Sequence, residues 1–248
     1  MNKRFVTSII LLFFLLIIFS TENIKNYFDE YRTQKSLAQY KVFLQTPFDE
    51  VFANYYSEQL DSAKIKRAEA FAKIFDLLKK QRNKPITIVE TGSIRKPYFR
   101  LGGDSSSTLL FNHFVKYAGG VVYTVDLDPR CKEIIDDIYK LKYVHSNIMD
   151  SVEYLKQFKN PQDISLLYLD SYDINFKKPE NSAKHHLKEI EAIFDKLSPG
   201  TIIAIDDNKI VDGKNMGKGY LVEEFLKNKN VSLIYDGYVK IFQIESQK

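Results

Sequence analysis

The chain opens with its longest apolar run. Phe5 to Phe19 (FVTSIILLFFLLIIF) follows Met1-Asn2-Lys3-Arg4, and no polar face interrupts it. A helix of about 15–17 residues rises about 23–25 Å, the short end of what crosses a ~30 Å hydrocarbon core. Ser20-Thr21-Glu22-Asn23-Ile24 comes next, without the small-residue pattern of a cleavage site. Residues 1–25 are therefore expected to form an uncleaved single-pass membrane anchor, with a cleaved signal-like segment as the alternative. Lys3 and Arg4 favour the N-terminus in the cytoplasm and the remaining chain outside.

Residues 26–84 change to a helical period. Tyr27 and Tyr31, then Ala38 and Val42, recur at helical spacing, and Thr46-Pro47 breaks the pattern. Pro47 suits the first position of a helix over 48–60. Asp61 is placed to cap another through Lys80, with Ile65, Ala68, Ala72, Phe75 and Leu78 on one face. This lead-in offers packing surfaces.

From Pro85 the period alternates. β-Branched or apolar runs at 86–90, 121–126, 142–145, 164–170 and 201–206 are separated by helical patterns at 108–118, 129–140, 150–158 and 182–197. Strand alternating with helix predicts a parallel sheet with right-handed crossovers and helices on both faces. The ending differs: a helix over 220–227 precedes runs at 231–235 and 238–244, joined across Asp236-Gly237. An Asp-Gly pair between such runs signals a hairpin, so the last strand is expected to be antiparallel. The fold class is α/β and Rossmann-like, and residues 85–248 form its domain.

Composition narrows the partners. Lys and Arg number 36 against 32 Asp and Glu, a net charge of +4 spread along the chain, so a strongly electrostatic nucleic-acid binder is not expected. The single cysteine, Cys131, rules out an intrachain disulfide and a cysteine zinc cluster. It reads as a small packed residue.

In an open parallel sheet, ligands lie beyond the carboxyl ends of the strands. Those ends carry Glu90-Thr91-Gly92, Asp126, Asn147, Asp170 and Asp206-Asp207-Asn208. Gly92, Gly102-Gly103 and the run Asp104 to Thr108, with Gly103 and Ser105 as candidate ligand contacts, make a strand-to-helix loop without a phosphate-cradle pattern. Asp126 stands where an acid accepts the hydroxyls of a ribose, which suits adenosine in any ligand. Neighbouring strand ends lie about 5 Å apart, so Asp170, Asp206 and Asp207 can converge on a hard divalent cation such as Mg²⁺, with Asn208 as a further oxygen donor. Asp173 overhangs the same point and could act as a base. Of His185 and His186, at most one can face the site, because neighbours on a helix point about 100° apart.

The chain resembles the class I S-adenosylmethionine-dependent methyltransferases from about Pro85 to Ile244. Val89-Glu90-Thr91-Gly92 is similar to that family's first motif, Tyr123 to Pro129 to its second, Leu166 to Asp173 to its fourth and Ser198 to Asn208 to its fifth. Within the family, the acids resemble those of metal-dependent O-methyltransferases of the catechol and macrocin kinds. The resemblance implies S-adenosylmethionine held by Glu90, Thr91, Gly92, Gly103, Ser105, Asp126, Asn147 and Asp170. It also implies Mg²⁺ on Asp170, Asp206 and Asp207, Asp173 as catalytic base, and O-methylation of a hydroxylated small molecule or sugar. The insertion Ser93 to Leu101 departs from the family's glycine loop, and Arg95 and Arg100 within it could bind a carboxylate. Two other readings stay open: a membrane-anchored glycosyltransferase using Asp126 and Asp128, and a non-catalytic binding module.

Overall fold

The computed structural model describes residues 3–61, 65–81, 85–99, 101, 106–175, 177–211 and 214–246, with side chains from Glu22 onward, those of 211 and 215 excepted. The first helix, α1, runs over Lys3–Phe43. Among the described residues no helix is long and apolar enough to cross a membrane. The expected single-pass anchor and the membrane location are corrected accordingly. The side chains of 5–19, on which that expectation rested, lie outside those described. From Glu22 on, α1 mixes charged, polar, apolar and aromatic residues, most of them exposed. Only its C-terminal end is packed, where the Tyr40 hydroxyl donates to the Leu109 carbonyl at 2.7 Å and accepts from Asn112 at 2.8 Å.

Chain order gives α2 (Phe48–Val51), a π-helical turn and α3 (Ser57–Leu60), then α4 (Ala68–Lys80). Asp61 does cap α4, but from a distance. Its carboxylate accepts the backbone N–H groups of Arg67 and Ala68 at 3.0 Å each, so the helix begins at Ala68. The buried stripe of α4 is Ala70, Phe71, Ile74, Phe75 and Leu78, turned from the expected face because the first turn is not helical.

The sheet strands are β1 (Ile86–Thr91), β2 (Gly120–Asp126), β3 (Val144–Ile148), β4 (Leu166–Leu169) and β5 (Ile202–Ile205). A two-residue pair, β6 (Ile210–Val211) and β7 (Lys214–Asn215), stands apart, and β8 (Val231–Tyr235) and β9 (Lys240–Ile244) close the chain. The order is β3-β2-β1-β4-β5-β9-β8. Strands β1 to β5 are parallel, and β9 runs antiparallel to both β5 and β8, as the Asp-Gly hairpin predicts. Strand β3 begins two residues later than its sequence pattern suggests. Between them lie α5 (Ser107–Ala118), α6 (Arg130–Glu133), α7 (Ser151–Lys156), α8 (Glu180–Ile193) and α9 (Tyr220–Leu226).

Alternation along the strands sorts the core into two layers. Ile88, Tyr168 and Ala204 face a cluster with α4, α5 and the lead-in, while Val89, Leu169 and Ile205 face α7, α8 and α9. The lead-in therefore shares the sheet's own core. His113 of α5 pins it: its Nε2 donates to the Thr46 carbonyl at 3.0 Å and its Nδ1 accepts from the Tyr56 hydroxyl at 2.8 Å. Burial lowers this imidazole to about 4, so the neutral ring suits that pair of bonds.

Phe48 is 3% exposed, with ring centroids 4.7 Å from Phe75 and 5.1 Å from Phe114. Phe48→Ala is expected to lower stability by about 3–5 kcal/mol, through lost transfer energy and the cavity left behind. Urea unfolding of the two proteins measures it, and a loss under about 1 kcal/mol would mean that the lead-in does not pack on the sheet.

Candidate active site

The strand order reverses between β1 and β4, and an open cavity of about 260 Å³ lies beyond their carboxyl ends. Gly92 closes β1 with a φ of +81°, and a side chain there would bring its Cβ within 2.6 Å of the Asp170 carbonyl oxygen. Only glycine allows both the conformation and the approach. Beside it, Asp126 at the end of β2 accepts the backbone N–H of Ser93 at 3.1 Å and that of Asp128 at 2.9 Å. Leu127 and Met149 flank it on the cavity wall, 69% and 36% exposed.

Other expected contacts sit back from this wall. Glu90 is buried under α5, where the hydroxyls of Ser107 and Thr108 each donate to it at 2.6 Å. Burial pushes its carboxyl up to about 7. Thr91 is buried too, and Asn147 turns to the Tyr154 hydroxyl at 3.3 Å. None of the three lines the cavity. Gly103 and Ser105 lie outside the described residues, as do Gly102, Asp104 and Arg100.

The tips of β4 and β5 bring Asp170, Asp206 and Asp207 together, but around two cations of the chain itself. Lys218, whose side chain is 2% exposed, donates to Asp170 Oδ1 at 2.7 Å, to the Asp170 carbonyl at 3.2 Å and to Asp207 Oδ2 at 2.9 Å. Arg67 donates through Nε to Asp206 at 3.0 Å and through Nη2 to Asp207 at 3.1 Å. Two phenols complete the cage: Tyr168 donates to Asp206 and Tyr238 to Asp207, each at 2.7 Å. The Arg67 guanidinium also lies 4.9 Å from the Tyr238 ring centre. Burial raises the Asp170 carboxyl, whereas Lys218 and Arg67 overcome burial at Asp207 and hold it below the usual range. Burial works against the Lys218 ammonium, yet the facing carboxylates raise its pKa.

The three acids expected to ligate Mg²⁺ are thus brought together, each paired with a cation of the chain. Among the described residues no group of three His, Cys, Asp or Glu side chains is arranged to hold a metal ion. Asp170 Oδ1, Asp206 Oδ1 and both Asp207 oxygens face the ammonium or guanidinium group, and the Tyr168 hydroxyl donates to Asp206 Oδ2. The Asn208 amide donates to the Ile205 carbonyl at 2.7 Å and accepts the Gly219 N–H at 3.0 Å.

Asp173 stands at the cavity mouth with both oxygens on Arg95, at 2.7 and 3.0 Å. Those bonds hold its carboxyl below the usual range. Of the two histidines, His185 lines the cavity, bonded to Ser151 at 2.8 Å, and His186 is fully buried. Asp128, the second acid of the D-x-D, is engaged by Arg130. Cys131 is packed, 1% exposed.

Sequence reasoning missed Arg67 and Lys218. Lys218 did leave a signal, because it sits between Gly217 and Gly219. A Cβ at Gly217 would stand 2.4 Å from the Asp207 carbonyl, and one at Gly219 would stand 2.5 Å from Asn208 Oδ1. A lysine between two obligatory glycines, just past an acidic strand end, marks a loop pressed on that end. Arg67 left none, as a lone arginine before a helix is common.

No family model matches the chain, and no curated protein sequence matches it. Solved structures do. The MycE methyltransferase of the mycinamycin biosynthetic pathway, in complex with Mg and SAH, superposes with a TM-score of 0.55 at 15% identity over 81% of this chain. The same enzyme with mycinamycin VI gives 0.54. The O-methyltransferase NovP gives 0.51 at 13% identity, over 85% of this chain and 100% of NovP. The chain spans 55% of the length of MycE. Its fold is that of the class I S-adenosylmethionine-dependent methyltransferases.

Glu90 supplies a pH test. Its folded pKa of about 7 lies above the ordinary 4.5, so the fold favours the protonated form. The stability this gives is full below about 4.5 and is lost as pH rises through 7, about 3 kcal/mol in all. Urea unfolding between pH 4 and 8 should show that decline, and Glu90→Gln should flatten it. Equal slopes in the two proteins would place the titration elsewhere.

Proposed function

We propose that the protein is an S-adenosylmethionine-dependent methyltransferase acting on a hydroxyl of a small molecule or sugar. The observation that carries the reading is the cavity at the β1–β4 reversal, with the side-chain-free Gly92 turn on one side and the Asp126 carboxylate on its wall. The residues present fit the cofactor. Gly92 leaves room where any Cβ would collide with the β4 tip. Asp126 keeps lone pairs for the ribose hydroxyls beyond those its two backbone donors use. Leu127 and Met149 offer apolar walls for a flat base, in the way that pockets combine apolar lining with a few fixed polar groups.

When bound, the cofactor supplies an electrophilic methyl group on a sulfonium centre. The chain's own work is to hold, orient and deprotonate. The tips of β4 and β5 form the floor on which the acceptor oxygen is placed, and orientation of this kind is a large part of rate enhancement. Asp173 is the proposed proton acceptor at Oδ1 or Oδ2. Arg95 keeps it ionised, the form a base needs, and also weakens it, so the Arg95 contact must loosen as the acceptor arrives. A divalent ion is not part of this reading. The small-molecule acceptor rests on the fold neighbours: MycE is described in complex with mycinamycin VI, and NovP is an O-methyltransferase.

Calorimetric titration of the protein with S-adenosylmethionine is expected to show one site, weakened about tenfold or more in Asp126→Ala, a loss of about 1.4 kcal/mol. No heat and no saturable binding would refute the reading. With an acceptor in hand, Asp173→Asn should lower kcat/KM by about 10²-fold or more if Asp173 takes the proton. A change under about tenfold would leave Asp173 only as the partner of Arg95.

A further inference from the structure

Three carboxylates meeting at two strand tips make a cation site, and here the chain fills it. Lys218 has three N–H groups, and three oxygens receive them: Asp170 Oδ1 at 2.7 Å, the Asp170 carbonyl at 3.2 Å and Asp207 Oδ2 at 2.9 Å. Arg67 covers the other side, on Asp206 at 3.0 Å and on Asp207 at 3.1 Å. One ammonium and one guanidinium together bring the charge of a single divalent ion. Their placement is that of a built site, since Lys218 and Arg67 side chains are 2% and 10% exposed.

The arrangement is also locked. The loop that carries Lys218 lies flat on the β5 tip, with the Lys218 N–H on the Asp207 carbonyl at 3.1 Å and the Gly219 N–H on Asn208 Oδ1 at 3.0 Å. Gly217 and Gly219 exist in contact with that tip, where any Cβ would clash with Asp207 or Asn208. Asp207 itself holds a φ of +54°, uncommon for a residue other than glycine, and so turns its carboxylate between the two cations. A divalent ion such as Mg²⁺ needs oxygens at about 2.0–2.1 Å in an octahedral shell with several waters. To admit one, the buried Lys218 ammonium would have to leave its three acceptors and carry the loop with it.

We propose that Lys218, with Arg67, is the resident cation of this site, standing in for the divalent ion that three such carboxylates would otherwise gather. The ammonium neutralises the tips of β4 and β5 and fixes Asp170 and Asp207 as the floor of the cavity, and the site works without a metal. Lys218 is thus a positioning residue. Its part in methyl transfer rests on the function proposed above; the exclusion of a divalent ion does not.

The test reads metal occupancy directly. The full chain, stripped with a chelator, is titrated with Mn²⁺ alone and followed by electron paramagnetic resonance. The wild-type protein is expected to leave Mn²⁺ free at millimolar concentration. Lys218→Met, which releases Asp170 and Asp207, is expected to gain a saturable site at least about tenfold tighter than any in the wild type. Affinity for S-adenosylmethionine in the wild type should be the same within about twofold in chelator and in excess Mg²⁺. Stoichiometric Mn²⁺ binding by the wild type overturns the proposal. So does a Lys218→Met protein that keeps its circular dichroism and gains no site. If that variant does not fold, the wild-type titration decides alone. Absence of cofactor binding would sink the methyltransferase reading and leave the Mn²⁺ result standing.

Discussion

Charge neutralisation at the tips of β4 and β5 is the constraint on which the site depends. Three carboxylates brought so close repel one another, and taking each out of water costs several kcal/mol unless it is paired and hydrogen-bonded. The chain answers with Lys218 from the loop after β5 and Arg67 from the lead-in, and it adds the hydroxyls of Tyr168 and Tyr238. Removing one member of such a set leaves an uncompensated buried charge, at about 3–5 kcal/mol. The cage is thus a structural commitment as well as a feature of the cavity.

That commitment explains the lead-in. Arg67 precedes α4, whose apolar stripe shares the sheet's core, and Asp61 fixes the start of the helix through the Arg67 and Ala68 N–H groups. Packing of Phe48, Phe71 and Phe75 against α5 and the sheet therefore sets where the guanidinium lands. Helices that look like an appendage before the domain hold half of the positive charge in the cage. The cavity is bounded on the other side by the Gly92 turn and Asp126, so this wall and the charged floor come from opposite sides of the β1–β4 reversal.

Much of the fold was legible in the sequence because periodicity is local. The alternation at 86–90, 121–126, 164–170 and 201–206 located four strands, and Asp236-Gly237 located the hairpin that turns β9 against β5. Errors fell where a local pattern was ambiguous: the start of β3, and the face of α4 once its first turn proved not to be helical. The acids at the strand ends were also legible, as strand ends in such a sheet face one common side. Their partners were not. Asp173 carries Arg95, Glu90 carries Ser107 and Thr108, and Asp128 carries Arg130, each pairing made by the folded backbone.

By itself, the sequence determined the alternation of strand and helix, the antiparallel finish, the glycine after β1 and the carboxylates at the tips of β2, β4 and β5. These follow from side-chain period and backbone freedom, which neighbouring residues settle among themselves. Only the tertiary structure decided what sits among the carboxylates. Arg67 and Asp206 are 139 positions apart and Lys218 and Asp170 are 48 apart. No local rule links such residues, since their meeting depends on how the helices pack and how the loop after β5 folds back. Packing brings the Lys218 ammonium to Asp170 and Asp207 and the Arg67 guanidinium to Asp206 and Asp207.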